Sequence, residues 1–181
     1  RDYESPWYPD HLIGTRIWFT RDGRILGNSG SVFRTGSTLA TDFIYTGTLS
    51  GYTGAPGTVV GMAHSPARRQ IVSIGPGLPS GEPAAADTVL NLHGDKYFGL
   101  AAKMTLPKLT IGATSAATHG KFVFWDRAGK KAYVILQADA TAGFLNDFAV
   151  YTLSPEFTAG CPVTLGVNSG TAIALGESGN V

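Results

Sequence analysis

Turn-forming residues interrupt this chain so often that no long helix has room to form. Glycine fills 24 and proline 10 of its 181 positions, and most of them separate short apolar runs. Those runs lie at 15–20, 25–26, 31–34, 39–49, 59–62, 70–74, 87–92, 97–106, 109–111, 121–125, 132–137, 146–153, 163–167 and 172–175. They recur every about 8–15 residues, the rhythm of strands joined by turns. Exposed helices are built mainly from Glu, Lys and Gln, of which the chain holds four, six and two. Threonine, which suits a pleated surface, occurs 19 times. The expected fold is all-β: an antiparallel β-sandwich or β-barrel of roughly a dozen short strands. Only 100–106 and 138–148 have the spacing of short helices. Pro107 ends the first, and Thr141 and Gly143 weaken the second. Strands do not alternate with helical patterns, which argues against doubly wound α/β folds.

Residues 1–14 read differently. They are aromatic and proline-broken, with Tyr3, Trp7 and Tyr8 around Pro6 and Pro9. Each proline drives the residue before it toward extended backbone, so this stretch is expected to be an extended arm on a single β-rich domain, 15–181. So many apolar rings need a surface to lie on. That surface is either the chain's own domain or, in the sharper expectation, a neighbouring subunit. Residues 75–86 hold three prolines and three glycines and form the longest expected loop. It divides the domain into two candidate half-domains. A similarity supports the division: Ile17-Trp18-Phe19-Thr20-Arg21-Asp22-Gly23-Arg24 resembles Val123-Phe124-Trp125-Asp126-Arg127-Ala128-Gly129-Lys130. Each is an aromatic strand end followed by a glycine turn between basic residues.

Charge narrows the function. Charged residues are 15% and the net charge is +1, so there is no basic excess to neutralise phosphates and no nucleic-acid partner is expected. No run of 18 apolar residues marks a membrane span. Cys161 is the only cysteine, which removes intrachain disulfides and cysteine zinc cages. Between Gly160 and Pro162 it is expected to be buried filler.

Motifs with a chemical mechanism are scarce. The histidines, His11, His64, His93 and His119, show no metal-ligand spacing. His93-Gly94-Asp95 reads as a turn whose Asp caps its own backbone, and His119 as a side chain in a small-residue loop at 112–120. Arg68 and Arg69 are the one adjacent arginine pair and could grip an anion; their simpler reading is a solvated turn. Carboxylates are scattered. There is no nucleophile elbow and no phosphate loop. The expectation is therefore a non-enzyme without metal or cofactor. Aromatic strand ends remain. Neighbouring strand residues face opposite sides, so of Trp18-Phe19 and of Phe124-Trp125 one ring can lie in the core and its neighbour on the other face, which is either a solvent-facing sticky patch or a structural surface covered by a second sheet or a neighbouring chain. Tyr3, Trp7, Tyr8, Trp18, Trp125, Arg68 and Arg69 are thus the interaction candidates.

The combination of glycine, alanine and threonine richness, few charges, many short strands, an aromatic opening arm and the small-residue stretch 162–176 resembles accessory structural proteins of tailed-phage particles. The resemblance is one of texture over the whole chain. It implies a virion or extracellular protein that decorates or cements a capsid, or forms a tail part, by burying surface against identical copies or a scaffold protein. Two alternatives come from the residues themselves: a carbohydrate-binding β-sandwich that stacks aromatics on a glycan, and a hydrolase whose site forms only on folding.

Overall fold

The computed structural model describes residues 11–38, 40–52, 59–75 and 87–154, together with the backbone of Val163–Thr164. Those residues are all-β and antiparallel, as the turn spacing predicts. The first sheet is β1 (Ile17–Phe19), β2 (Arg24–Gly27), β3 (Ser31–Arg34) and β4 (Ile44–Thr48). The second is β5 (Gly61–Ser65), β6 (Gln70–Ile74), β7 (Val89–Gly94) and β8 (Leu100–Thr105). A ribbon follows, β9 (Leu109–Ile111) with β10 (Thr114–Ala116). The third sheet is β11 (Thr118–Trp125), β12 (Ala132–Ala138), β13 (Phe148–Leu153) and β14 (Val163–Thr164). In each four-stranded sheet the spatial order equals the chain order, so each is a simple meander.

The first turn of every meander is set by local chemistry. Gly23 takes φ +76° between β1 and β2, where Thr20 Oγ1 donates to Asp22 and accepts from the Arg24 amide. Gly129 takes φ +67° between β11 and β12, and Asp126 Oδ1 accepts from the Lys130 amide at 2.6 Å. The β5–β6 turn carries no glycine, and Arg69 itself adopts φ +56°, a conformation that costs a residue with a Cβ.

Strand alternation then builds three layers. On β6 and β7, Val72, Ile74 and Leu90 point to one side and Ile71 to the other. The first set packs against Val123, Val134, Leu136, Ala149, Tyr151 and Leu153 of the third sheet. Ile71, with Met62 of β5, packs against Leu26, Val32 and Leu49 of the first sheet and its connection. The middle sheet is thus buried on both faces along β6 and β7, though not along the largely exposed β8. Each buried large aliphatic residue of this sheet contributes about 1.5–3 kcal/mol by leaving water. Close approach of the second and third layers needs a missing side chain. A Cβ at Gly120 would stand 3.0 Å from Ile74 Cγ2 and 3.1 Å from Leu106 Cδ1.

Successive four-stranded antiparallel meanders thus repeat along the chain. This explains the internal similarity. Ile17–Phe19 and Val123–Trp125 both belong to the first strand of a meander, and Gly61–Ser65 fills the same role in the second sheet. The unit of repetition is therefore one sheet. The 75–86 segment does not divide the molecule; it joins β6 to β7, neighbours within the middle sheet.

Three local expectations change. Residues 100–105 are strand β8, paired with β7. In 138–148 the only helical turn is the 3-10 segment Ala140–Ala142, capped by Asp139. The small-residue stretch 112–120 is no loop, because 114–116 and 118–120 pair as strands. Of the arm, residues 11–14 lie along their own first sheet. Ser29 Oγ donates to the Leu12 carbonyl, and the His11 ring stacks on Tyr45 at 3.5 Å. Tyr3, Trp7, Tyr8 and Cys161 lie outside the described residues.

Candidate functional site

The three first strands converge on an open groove of about 470 Å³. One wall is Ile17, Trp18 and Phe19, running on to Arg21. The other is Val123, Phe124 and Trp125, running on to Asp126 and Arg127. Met62, Ala63, His64 and Ser65 lie between them. The two similar sequence stretches thus face each other. Trp18 and Trp125 are half-buried against the two cores, whereas Phe19 is 71% exposed and Phe124 lies on the outer face, stacked on Tyr133 at 5.4 Å. The two rings of each pair thus lie on opposite faces, and the structure makes each Trp the inward one.

At one end of the groove lies an ionic cluster. His64 Nδ1 is 3.4 Å from Asp22 Oδ1, and its Nε2 is 3.2 Å from Asp95 Oδ2. Arg24 Nε stands 3.2 Å from Asp22 Oδ2, and Arg69 Nε 3.4 Å from Asp95 Oδ1. The Arg24 guanidinium also donates to the Asp95 carbonyl at 2.6 Å. The His64 and Asp95 side chains are 1% and 6% exposed. One imidazole and two carboxylates within 4.8 Å have the donor types of a cation site. Here, however, all four carboxylate oxygens already face a guanidinium or an imidazole. Two carboxylates also balance two arginines, so an added cation would have to displace existing partners. The cluster acts as a latch that ties the β1–β2 turn to the second sheet.

A second seam repeats the theme. His119 Nδ1 meets Asp87 Oδ1 at 2.8 Å, and its Nε2 lies 3.7 Å from Asp139 Oδ2. Asp87 belongs to the second sheet's approach and His119 to β11. Hydrogen bonds from the Thr141 hydroxyl and amide hold the Asp139 carboxyl below the usual range.

A third histidine is sealed. Ser73 Oγ lies 3.2 Å from His93 Nε2 and 2.8 Å from Tyr52 OH, and Asn91 Nδ2 donates to Tyr52 OH and to the Gly75 carbonyl. Burial pushes the His93 imidazole down to about 4 and raises the Tyr52 hydroxyl. Ser73 and His93 resemble half of a nucleophilic pair, but both are fully buried and no carboxylate joins them among the described residues. The network serves the seam between the first and second sheets.

The arginine pair does not form one fork. Arg68 Nε donates to the Gly129 carbonyl at 3.0 Å, across to the third sheet, while Arg69 turns to Asp95. The tight turn that bears them sends adjacent side chains to opposite seams. Asp95 serves His64 rather than its sequence neighbour His93, and His119 is an ion-paired strand residue rather than a loop side chain. Sequence reading missed the Asp22–His64–Asp95 cluster, because its members are 42 and 31 residues apart and meet only when the sheets stack. The turn-flanking Asp22 and Asp95 were the available signal. No known family model matches the chain, and no curated protein matches it significantly.

Proposed function

We propose that this chain is a structural protein that assembles through its sheets, with the third sheet of one copy stacking on the first sheet of the next. One observation carries the reading: the outer face of the third sheet is apolar and uncovered by any described element. Phe122 is 67% and Phe148 38% exposed, and Phe124, Tyr133, Ile135 and Val150 lie half-buried on the same side. The first sheet offers the exposed Ile17 and Phe19 on its own outer face, next to a part of that face where Ile25 and Phe33 are already buried and Tyr45 carries the His11 ring. The step that stacks the first sheet on the second, and the second on the third, then continues into another copy. Closed rings of such sheets usually hold about four to eight, so two copies supply six. A head-to-tail contact that closes in this way yields a finite particle rather than a filament. In the setting that the sequence texture suggests, the ring is a decoration, cement or tail part of a phage particle, held to its copies or to a capsid scaffold.

Light scattering should give twice the 19.0 kDa chain mass. Phe19→Asp and Phe122→Asp should each yield a folded monomer, judged by unchanged far-ultraviolet circular dichroism. Mixing the two variants should restore part of the dimer, because one of the two contacts in the mixed pair is intact. A wild-type chain that stays monomeric at about 100 μM, well above the micromolar dissociation constants of ordinary weak complexes, overturns the reading.

A further inference from the structure

We propose that the groove between β1, β5 and β11 binds an acidic oligosaccharide. Every residue of the groove belongs to one copy, and three of them, Ile17, Phe19 and Phe124, are shared with the sheet faces proposed for assembly. The groove volume, about 470 Å³, is that of a small-molecule site. Each long wall carries one inward ring, Trp18 on one side and Trp125 on the other, while the adjoining Phe19 and Phe124 rings turn to the outer faces. Such walls suit a flat ligand whose faces are apolar and whose edges are polar, as in a pyranose ring.

The polar groups choose among such ligands. Arg21 and Arg127 close the two walls at corresponding positions. Both residues are exposed, and among the described residues neither is ion-paired to a carboxylate. Asp126 is the one acidic residue lining the groove, and its Oδ1 is already engaged by the Lys130 amide. The lining is therefore net positive, with two guanidiniums suited to carboxylates.

A sugar carboxylate at the ring edge meets the arginines, while the apolar faces of the ring lie between the walls. Neutral glycans would fill the space between the walls and leave the arginines unused.

The test is isothermal titration, with tryptophan fluorescence in parallel, using trigalacturonate, the neutral maltotriose and benzoate as probes. Trigalacturonate should bind about tenfold more tightly than maltotriose, the worth of one charge-assisted hydrogen bond, and the preference should shrink in high salt. The Arg21→Gln, Arg127→Gln double variant, altered at exposed positions, should reduce trigalacturonate to the maltotriose level. Trp125→Ala, which removes one aromatic wall, should weaken both sugars. Equal affinity for the two sugars, an acidic preference that survives loss of both arginines, or no sugar binding at millimolar concentration overturns the proposal. Benzoate binding as tightly as trigalacturonate overturns it too, because the groove would then read an aromatic acid rather than a saccharide.

Discussion

Acidification should weaken this fold through His93 well before its carboxylates are protonated. The imidazole is fully buried beside Ser73, and burial lowers its pKa to about 4. In the unfolded chain it titrates near about 6.5. Between these values the unfolded state holds a proton that the folded state refuses, so stability falls as pH drops from about 6.5 to about 4. The full stabilisation is present above the unfolded value. A gap of about 2.5 pH units at about 1.36 kcal/mol each comes to about 3 kcal/mol. That is a large part of the about 5–15 kcal/mol that holds a typical domain together. Urea unfolding followed by tryptophan fluorescence from pH 7.5 to pH 4 measures the loss. His93→Gln keeps a polar partner for Ser73 and cannot titrate. Its intrinsic cost shifts the whole curve, so the comparison is between slopes. The wild type should lose about 3 kcal/mol more than the variant over this interval. Parallel curves, or a His93 resonance that titrates near 6.5 in the folded protein, would refute the reasoning.

Three further outcomes follow from the seams. Gly120→Ala should cost about 1–3 kcal/mol by overpacking, because its Cβ would meet Ile74 and Leu106 at 3.0–3.1 Å; thermal unfolding reads this directly, and an unshifted midpoint would mean that the second and third layers are not in close contact. Asp95→Ala should cost about 3 kcal/mol, since it strips His64, Arg24 and Arg69 of a buried carboxylate. Asp95→Asn should recover little of that loss, and a neutral effect of both would count against the latch. Tyr52→Phe should cost about 1–2 kcal/mol by removing the hydroxyl that Asn91 and Ser73 share, measured by chemical denaturation.

The fold class was legible because it rests on local rules. Frequent turns and few helix formers force short strands, and alternation then gives each strand its faces. Trp18 and Phe19 show the reach of that logic, since their opposite orientations follow from adjacency alone. The same rules are silent about long-range partners. Leu100–Thr105 has a short apolar run compatible with either helix or strand, and pairing with β7 decided for strand. The similarity of 17–24 to 123–130 was visible, but its meaning was not. A repeat of one sheet and a repeat of half a domain look alike until the β5–β6 hairpin, with its different turn, is seen in the equivalent place. Asp22, His64 and Asp95 carried no signal as a group. Hydrophobic burial stacks the layers, and the stacking decides which charged turn residues become neighbours. Sequence by itself determined the strand-rich class and the opposite facing of neighbouring strand residues, because backbone geometry is local. The groove, the ionic latch and the sealed His93 network were decided by tertiary structure, because they form only where separate sheets meet.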